Sequence, residues 1–210
     1  MTAILKVDTI QDTSGNNIIN ESSDTITIGA SGDTTNIVGT LQNNGSAVAS
    51  TNGITEADQW RLTTSFSNSG DNYVTSNWER NDNTAFAKIG TGLSESSGVF
   101  SFPSTGLYYI TWMVWGSQNG SSRYNYVRID GTTNNSSYDG ISWTSFGVLP
   151  ISGSAGHATG VTSCYFNVTD VSTHKIKFKI NTENSISINS QASGQSNSPA
   201  ATFIRLGDAQ

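Results

Sequence analysis

Phe100-Ser101-Phe102-Pro103-Ser104-Thr105-Gly106-Leu107-Tyr108-Tyr109-Ile110-Thr111-Trp112-Met113-Val114-Trp115 is the stretch that decides how this chain folds. From Leu107 onward its β-branched and aromatic content reads as one strand. Side chains alternate across a strand, so Tyr108, Ile110, Trp112 and Val114 share one face. Leu107, Tyr109, Met113 and Trp115 share the other. A strand that is apolar on both faces is covered on both. One face is therefore expected inside a β-sandwich and the other against a neighbouring subunit. Gly106 permits the tight turn that follows Pro103.

The same content recurs in residues 61–66, 86–89, 99–102, 124–129, 163–168, 175–180, 185–188 and 202–206, separated by Gly, Asn, Ser or Pro clusters. That spacing predicts an all-β sandwich over residues 61–210. Residues 54–60 look different. Thr55 can cap a helical turn while Glu56 and Asp58 sit at its positive end, which predicts a short helical collar or linker there.

The segment 1–53 contains none of the twenty Phe, Trp and Tyr residues, no Arg and one Lys, Lys6. Without large rings it cannot close a core of its own. It shows a weak repeat, Asp8-Thr9-Ile10 returning as Asp24-Thr25-Ile26, and Gly/Asn turns that each precede an aliphatic residue. Very short strands between tight turns fit this pattern, and three chains wound together would bury Ile side chains that one chain cannot. The expectation is a thin trimeric β shaft over residues 1–53, with a disordered linker as the alternative.

Charged residues make up 12% of the chain, about half the usual share. The net charge is −6 and no basic cluster occurs, which argues against nucleic acid as a partner. No apolar run reaches the length needed to span a bilayer, so no membrane insertion is expected. A charged stretch followed by an apolar one is missing at the N-terminus, so no secretory signal is expected either. One cysteine, Cys164, excludes an internal disulfide framework.

Phe100, Gly106, Tyr108 and Trp112, with Leu93 seven residues earlier, resemble the signature of C1q-like domains, Phe followed after five residues by Gly-x-Tyr-x-Phe-x-aromatic. Ile110 stands where Phe is usual, and Lys88 occupies a position that is acidic or amide in the family. Thr202-Phe203-Ile204-Arg205-Leu206 is similar to the family's last strand, although Arg205 is unusual. The likeness spans residues 58–208. It implies a jelly roll related to tumour-necrosis-factor-like domains, and a homotrimer. Residues 5–17 and 53–60 are similar to the opening and the head-proximal linker of structural proteins from marine tailed bacteriophages. The combination implies a virion fibre on tail or capsid, anchored to other virion proteins by Ile4, Leu5, Val7 and Ile10.

Little in the chain suggests catalysis. His157 and His174 are the two histidines, and neither stands in a nucleophile motif with Cys164 or a serine. His and Cys never cluster as metal ligands do. The pairs Glu79 with Asp82 and Asp130 with Asp139 read as solvated loop charges. No enzyme activity, cofactor or metal is expected. Function is expected in long polar loops at residues 116–123, 131–147 and 152–160. Tyr138, Trp143, Phe146 and Arg123 are the candidate contacts for a host-surface glycan or protein; the alternative is that Trp143 and Phe146 belong to a strand and pack into the trimer. The expected function is host attachment at the virion surface. Alternatives are a purely architectural capsid decoration or cement protein, and a polysaccharide-degrading fibre enzyme.

Overall fold

The computed structural model describes residues 9–11, 13–15, 17–22, 25–28, 32, 34–35, 41–43, 46–47, 53–149, 151–191 and 197–210. Its contacts divide the chain into Met1–Ser50 and Thr51–Gln210. In the first unit β1 (Thr9–Gln11), β2 (Asn17–Ser22) and β3 (Thr25–Ile28) form an antiparallel sheet in that order. Ile10 pairs with Ile19, and Ile19 with Ile28. β4 (Gln42–Asn43) and β5 (Ser46–Ala47) form a separate hairpin. Ile26 and Ile28 are 68% and 56% exposed, so within one chain their apolar surface stays in water. The proposed anchor residues Ile4, Leu5 and Val7 lie outside the described residues, while Ile10 lies on β1.

The second unit contains β6 (Ala57–Leu62), β7 (Phe66–Tyr73), β8 (Trp78–Arg80), β9 (Ser94–Ser96), β10 (Val99–Ser101) and β11 (Gly106–Gln118). It continues with β12 (Ser122–Thr132), β13 (Asp139–Val148), β14 (Gly156–Val168), β15 (Lys175–Ile188) and β16 (Ala200–Gly207). No helix occurs among the described residues, so the fold is all-β. One layer runs β8-β6-β16-β11-β14, and the other runs β13-β12-β15 with β10 and β7 along the free edge of β15. The layers join where Gly116 and Ser117 pair with Ile188 and Ser187.

The alternation in β11 is the one its sequence predicts. Tyr108, Ile110, Trp112 and Val114 are fully buried, and the intervening residues are half-buried. Facing them across the sandwich are Phe178 and Ile180 of β15 and Val127 and Ile129 of β12. Ring centroids of Trp112 and Phe178 lie 4.9 Å apart, so the layers interlock through aromatic rings. The C1q-like positions Leu93, Phe100, Tyr108, Ile110 and Trp112 all belong to this core. Gly106 is required by a close approach. A Cβ there would stand 2.4 Å from Arg205 Nε and 2.7 Å from the Gly207 carbonyl oxygen. Arg205 uses that space to donate to the Thr105 carbonyl, at 2.8 Å.

Several local expectations are corrected. Residues 54–60 form no helical collar. Ala57–Leu62 is a strand between β16 and β8, because pairing on both edges outweighs a weak local capping signal. Glu56 instead accepts from the Thr91 and Gly92 backbone N–H groups, at 3.1 and 2.9 Å. Residues 86–89 form no strand beyond the Ala57–Ile89 bridge. Asn83 holds the preceding turn, accepting from Ala85 N at its side chain and Phe86 N at its carbonyl. The long loops are also shorter than expected. β11 extends to Gln118, β13 occupies most of residues 131–147, and β14 starts at Gly156.

Candidate functional site

Two outward faces of the second unit carry unusual chemistry. The first belongs to β16, β11 and β14. Their register aligns Ile204, Tyr109 and Tyr165 in one row, Thr202, Thr111 and Ser163 in the next, and Met113 beside Val161. Tyr165 is 68% exposed and Val161 50%. The Tyr109 and Tyr165 rings contact each other at 5.5 Å. No Lys, Asp or Glu stands among these residues.

The second face belongs to β13, β12, β15 and β7. Arg128 pairs with Trp143 on one side and Lys179 on the other, and Lys179 pairs with Tyr73. Two residues along the strands, Tyr126 pairs with Asn181 and Asn181 with Asp71. All these side chains point away from the core, because their neighbours Val127, Ile129, Phe178 and Ile180 point into it. Asp71, Tyr126, Arg128, Trp143, Lys179 and Asn181 line a cleft of about 290 Å³.

Ion pairs and hydrogen bonds link the side chains of this face. Arg128 donates from Nε and one Nη to the buried Asp130 carboxylate, at 2.5 and 2.7 Å. The Tyr73 hydroxyl donates to the same carboxylate at 2.8 Å. Desolvation, reinforced by Asp130, pushes the Tyr73 hydroxyl up to about 12, which keeps it a donor. Lys179 pairs with Asp71 at 2.5 Å and lies 4.9 Å from the Tyr73 ring centroid. Trp143 stands edge-on to Tyr126, their centroids 5.3 Å apart, and remains 62% exposed.

The residues singled out from sequence are scattered. Trp143 and Phe146 are on β13, not in a loop, and an odd spacing puts them on opposite faces. Phe146 packs against the core, so it is not a surface contact. Tyr138 precedes β13 with the Lys177 ammonium 4.0 Å from its ring centroid. Arg123 is exposed and ion-paired with Glu183. Sequence reasoning misses Asp71, Tyr126, Arg128, Lys179 and Asn181. Alternation marks each as outward, yet only register shows that they meet.

Glu79, Asp82, Asp130 and both histidines have structural partners. Glu79 and Asp82 both engage Arg61. His174 is buried against Thr169 and Thr173, and His157 stacks on Trp115. Among the described residues no three His, Cys, Asp or Glu side chains gather as metal ligands. Burial pushes the Cys164 thiol up to about 12. Relative to an ordinary thiol this cuts the thiolate fraction near pH 8 by roughly a thousandfold. Native protein at pH 8 should therefore react with iodoacetamide at least a hundredfold more slowly than urea-unfolded protein, followed by intact mass. Equal rates would place Cys164 outside the sandwich.

No family model matches the sequence, and no curated protein does. Solved structures do. Murine APRIL at pH 5.0 is 12% identical, with a TM-score of 0.51 over 72% of this chain and 98% of its own. The Eiger TNF from S. frugiperda is 10% identical, with a TM-score of 0.56 over 76% of this chain and 96% of its own. The fold is a TNF-like jelly roll. At this identity the likeness carries the architecture, in agreement with the C1q/TNF-like signature around Phe100.

Proposed function

We propose that this chain is a homotrimeric virion fibre protein, fixed to the particle through residues 1–53 and presenting its jelly roll for attachment to a host surface. The observation that carries the trimer is the apolar face of β16, β11 and β14. Tyr165 and Val161 are strongly exposed there, beside half-buried Leu107, Tyr109, Met113 and Ile204. A face of this composition without acidic or Lys side chains resembles the core of a subunit interface. Exposed Ile26 and Ile28 in the first unit give the N-terminal segment the same need for partner chains. The virion assignment rests on the resemblance of residues 5–17 and 53–60 to tailed-phage structural proteins. Three heads per fibre and many fibres per particle turn weak single contacts into stable adhesion.

Light scattering on the full chain should give three times its 22.3 kDa mass. Tyr165→Asp, which would gather carboxylates on an apolar interface, should reduce that to the monomer mass at micromolar concentration. A wild-type monomer rejects the trimer. Fluorescently labelled chain should also adsorb to at least one strain in a panel of marine bacteria, and adsorption to none rejects attachment.

A further inference from the structure

The cleft on the opposite face has the chemistry of a carbohydrate site. We infer that it holds one hexopyranose ring of a surface polysaccharide, the apolar face of the sugar lying on Trp143 and its hydroxyls meeting Arg128, Asn181, Asp71 and Tyr126. The inference rests on the attachment reading and names its ligand class.

Four observations support it. Trp143 is an aromatic platform whose exposure the core does not explain, since it is 62% exposed while Phe146, three residues away on the same strand, packs inward. The cleft, about 290 Å³, lies just below the range of roughly 300–1,000 Å³ for ligand sites, a size for a single ring. Tyr126, Arg128, Asn181 and Asp71 also line it, and their side chains carry groups that can hydrogen-bond a hydroxyl. The geometry is also fixed in advance, because Asp130 clamps Arg128 and Asp71 clamps Lys179, so little ordering cost remains for the ligand.

The same features favour a sugar over a protein partner. Protein interfaces are depleted in Lys and Asp at their centre, whereas Lys179 and Asp71 form an ion pair inside this cleft. A sugar combines an apolar ring face with a rim of hydroxyls that can donate and accept. An aromatic platform edged by donors and acceptors of both signs meets both needs.

The test is saturation-transfer NMR on the full chain with glucose, galactose, mannose, N-acetylglucosamine and glucuronate at millimolar concentration. At least one sugar should receive saturation, strongest at the ring protons of one face. Trp143→Ala should reduce that signal at least tenfold, and Asn181→Ala severalfold, with unchanged mass and melting temperature. Leu149→Ser, at another exposed apolar position, should leave it intact. No saturation of any sugar by wild-type protein, or full saturation by a folded Trp143→Ala variant, overturns the site. Adsorption of the same variants to cells separates the two readings. Full adsorption by Trp143→Ala keeps attachment and rejects this cleft as its basis. Sugar binding lost in Trp143→Ala, with no adsorption of wild type to any strain, keeps the cleft and rejects attachment.

Discussion

Phe100→Ala should destabilise the jelly roll by about 3–5 kcal/mol, the usual cost of truncating a buried aromatic to Ala. Phe100 lies on a strand of three residues, yet its ring is fully buried. It contacts Trp60, Trp78, Phe178 and Phe203 at centroid distances of 5.5, 5.0, 5.3 and 5.3 Å. These partners come from β6, β8, β15 and β16, so one side chain ties both layers together. The first three contacts are edge-to-face, at interplanar angles of 86°, 89° and 73°, an arrangement favoured beyond simple area burial. With total stability of roughly 5–15 kcal/mol for a domain, the loss is a large share. A melting temperature lower by on the order of 10 °C is expected at fixed protein concentration, read by tryptophan fluorescence. Phe100→Leu, which fills part of the volume but loses the edge-to-face contacts, should cost less than Phe100→Ala. A loss below about 1 kcal/mol in the Ala variant would mean that the ring does not link the two layers.

Asp58→Ala should cost a similar amount, about 3–5 kcal/mol, for an electrostatic reason. The Asp58 side chain is fully buried on β6. It accepts hydrogen bonds from Trp60 Nε1 at 3.0 Å, Leu93 N at 2.9 Å, Gln59 N at 3.0 Å and Arg80 Nε at 3.1 Å. Truncation leaves Trp60 Nε1 and Leu93 N as buried donors without acceptors and removes the counter-charge of Arg80. The Arg80 guanidinium, 4.8 Å from the Trp60 ring centroid, has only partial access to water, as its side chain is 35% exposed. Asp58→Asn keeps the shape and one acceptor oxygen, so about 2–3 kcal/mol is expected. Chemical denaturation of Asp58→Ala, Arg80→Ala and the double variant gives the coupling directly. Additive losses would show that Asp58 and Arg80 do not act as a pair.

Phe100 is legible in the sequence and Asp58 is not. The spacing of Phe100, Gly106, Tyr108 and Trp112 resembles the C1q-like signature, and that resemblance is what marks Phe100 as a core position. Asp58 instead reads as a charge at the start of a helix, because the local signal of Thr55, Glu56 and Asp58 is a capping signal. What overrules it is nonlocal. β6 pairs with β16, whose residues lie far along the chain, and Leu93 offers its backbone N–H to the carboxylate. Trp143 illustrates the same limit. Its ring type marks it as a candidate surface contact, but local composition leaves it and Phe146 open between a loop and a strand, and only the strand, with its odd spacing, sets the two on opposite faces.

Composition and alternation suffice for the all-β class, the two-faced character of β11, the aromatic-poor first segment and the inward face of Tyr108, Ile110, Trp112 and Val114. Both act within a few residues, so a linear reading captures them. Which outward side chains become neighbours is a matter of tertiary packing. Asp71, Tyr126, Trp143 and Lys179 come from four strands, and hydrogen-bond register aligns them into adjoining rows. Alternation tells which way a side chain points, but the register between distant strands is set by packing of the whole sandwich, and no short window of sequence contains it.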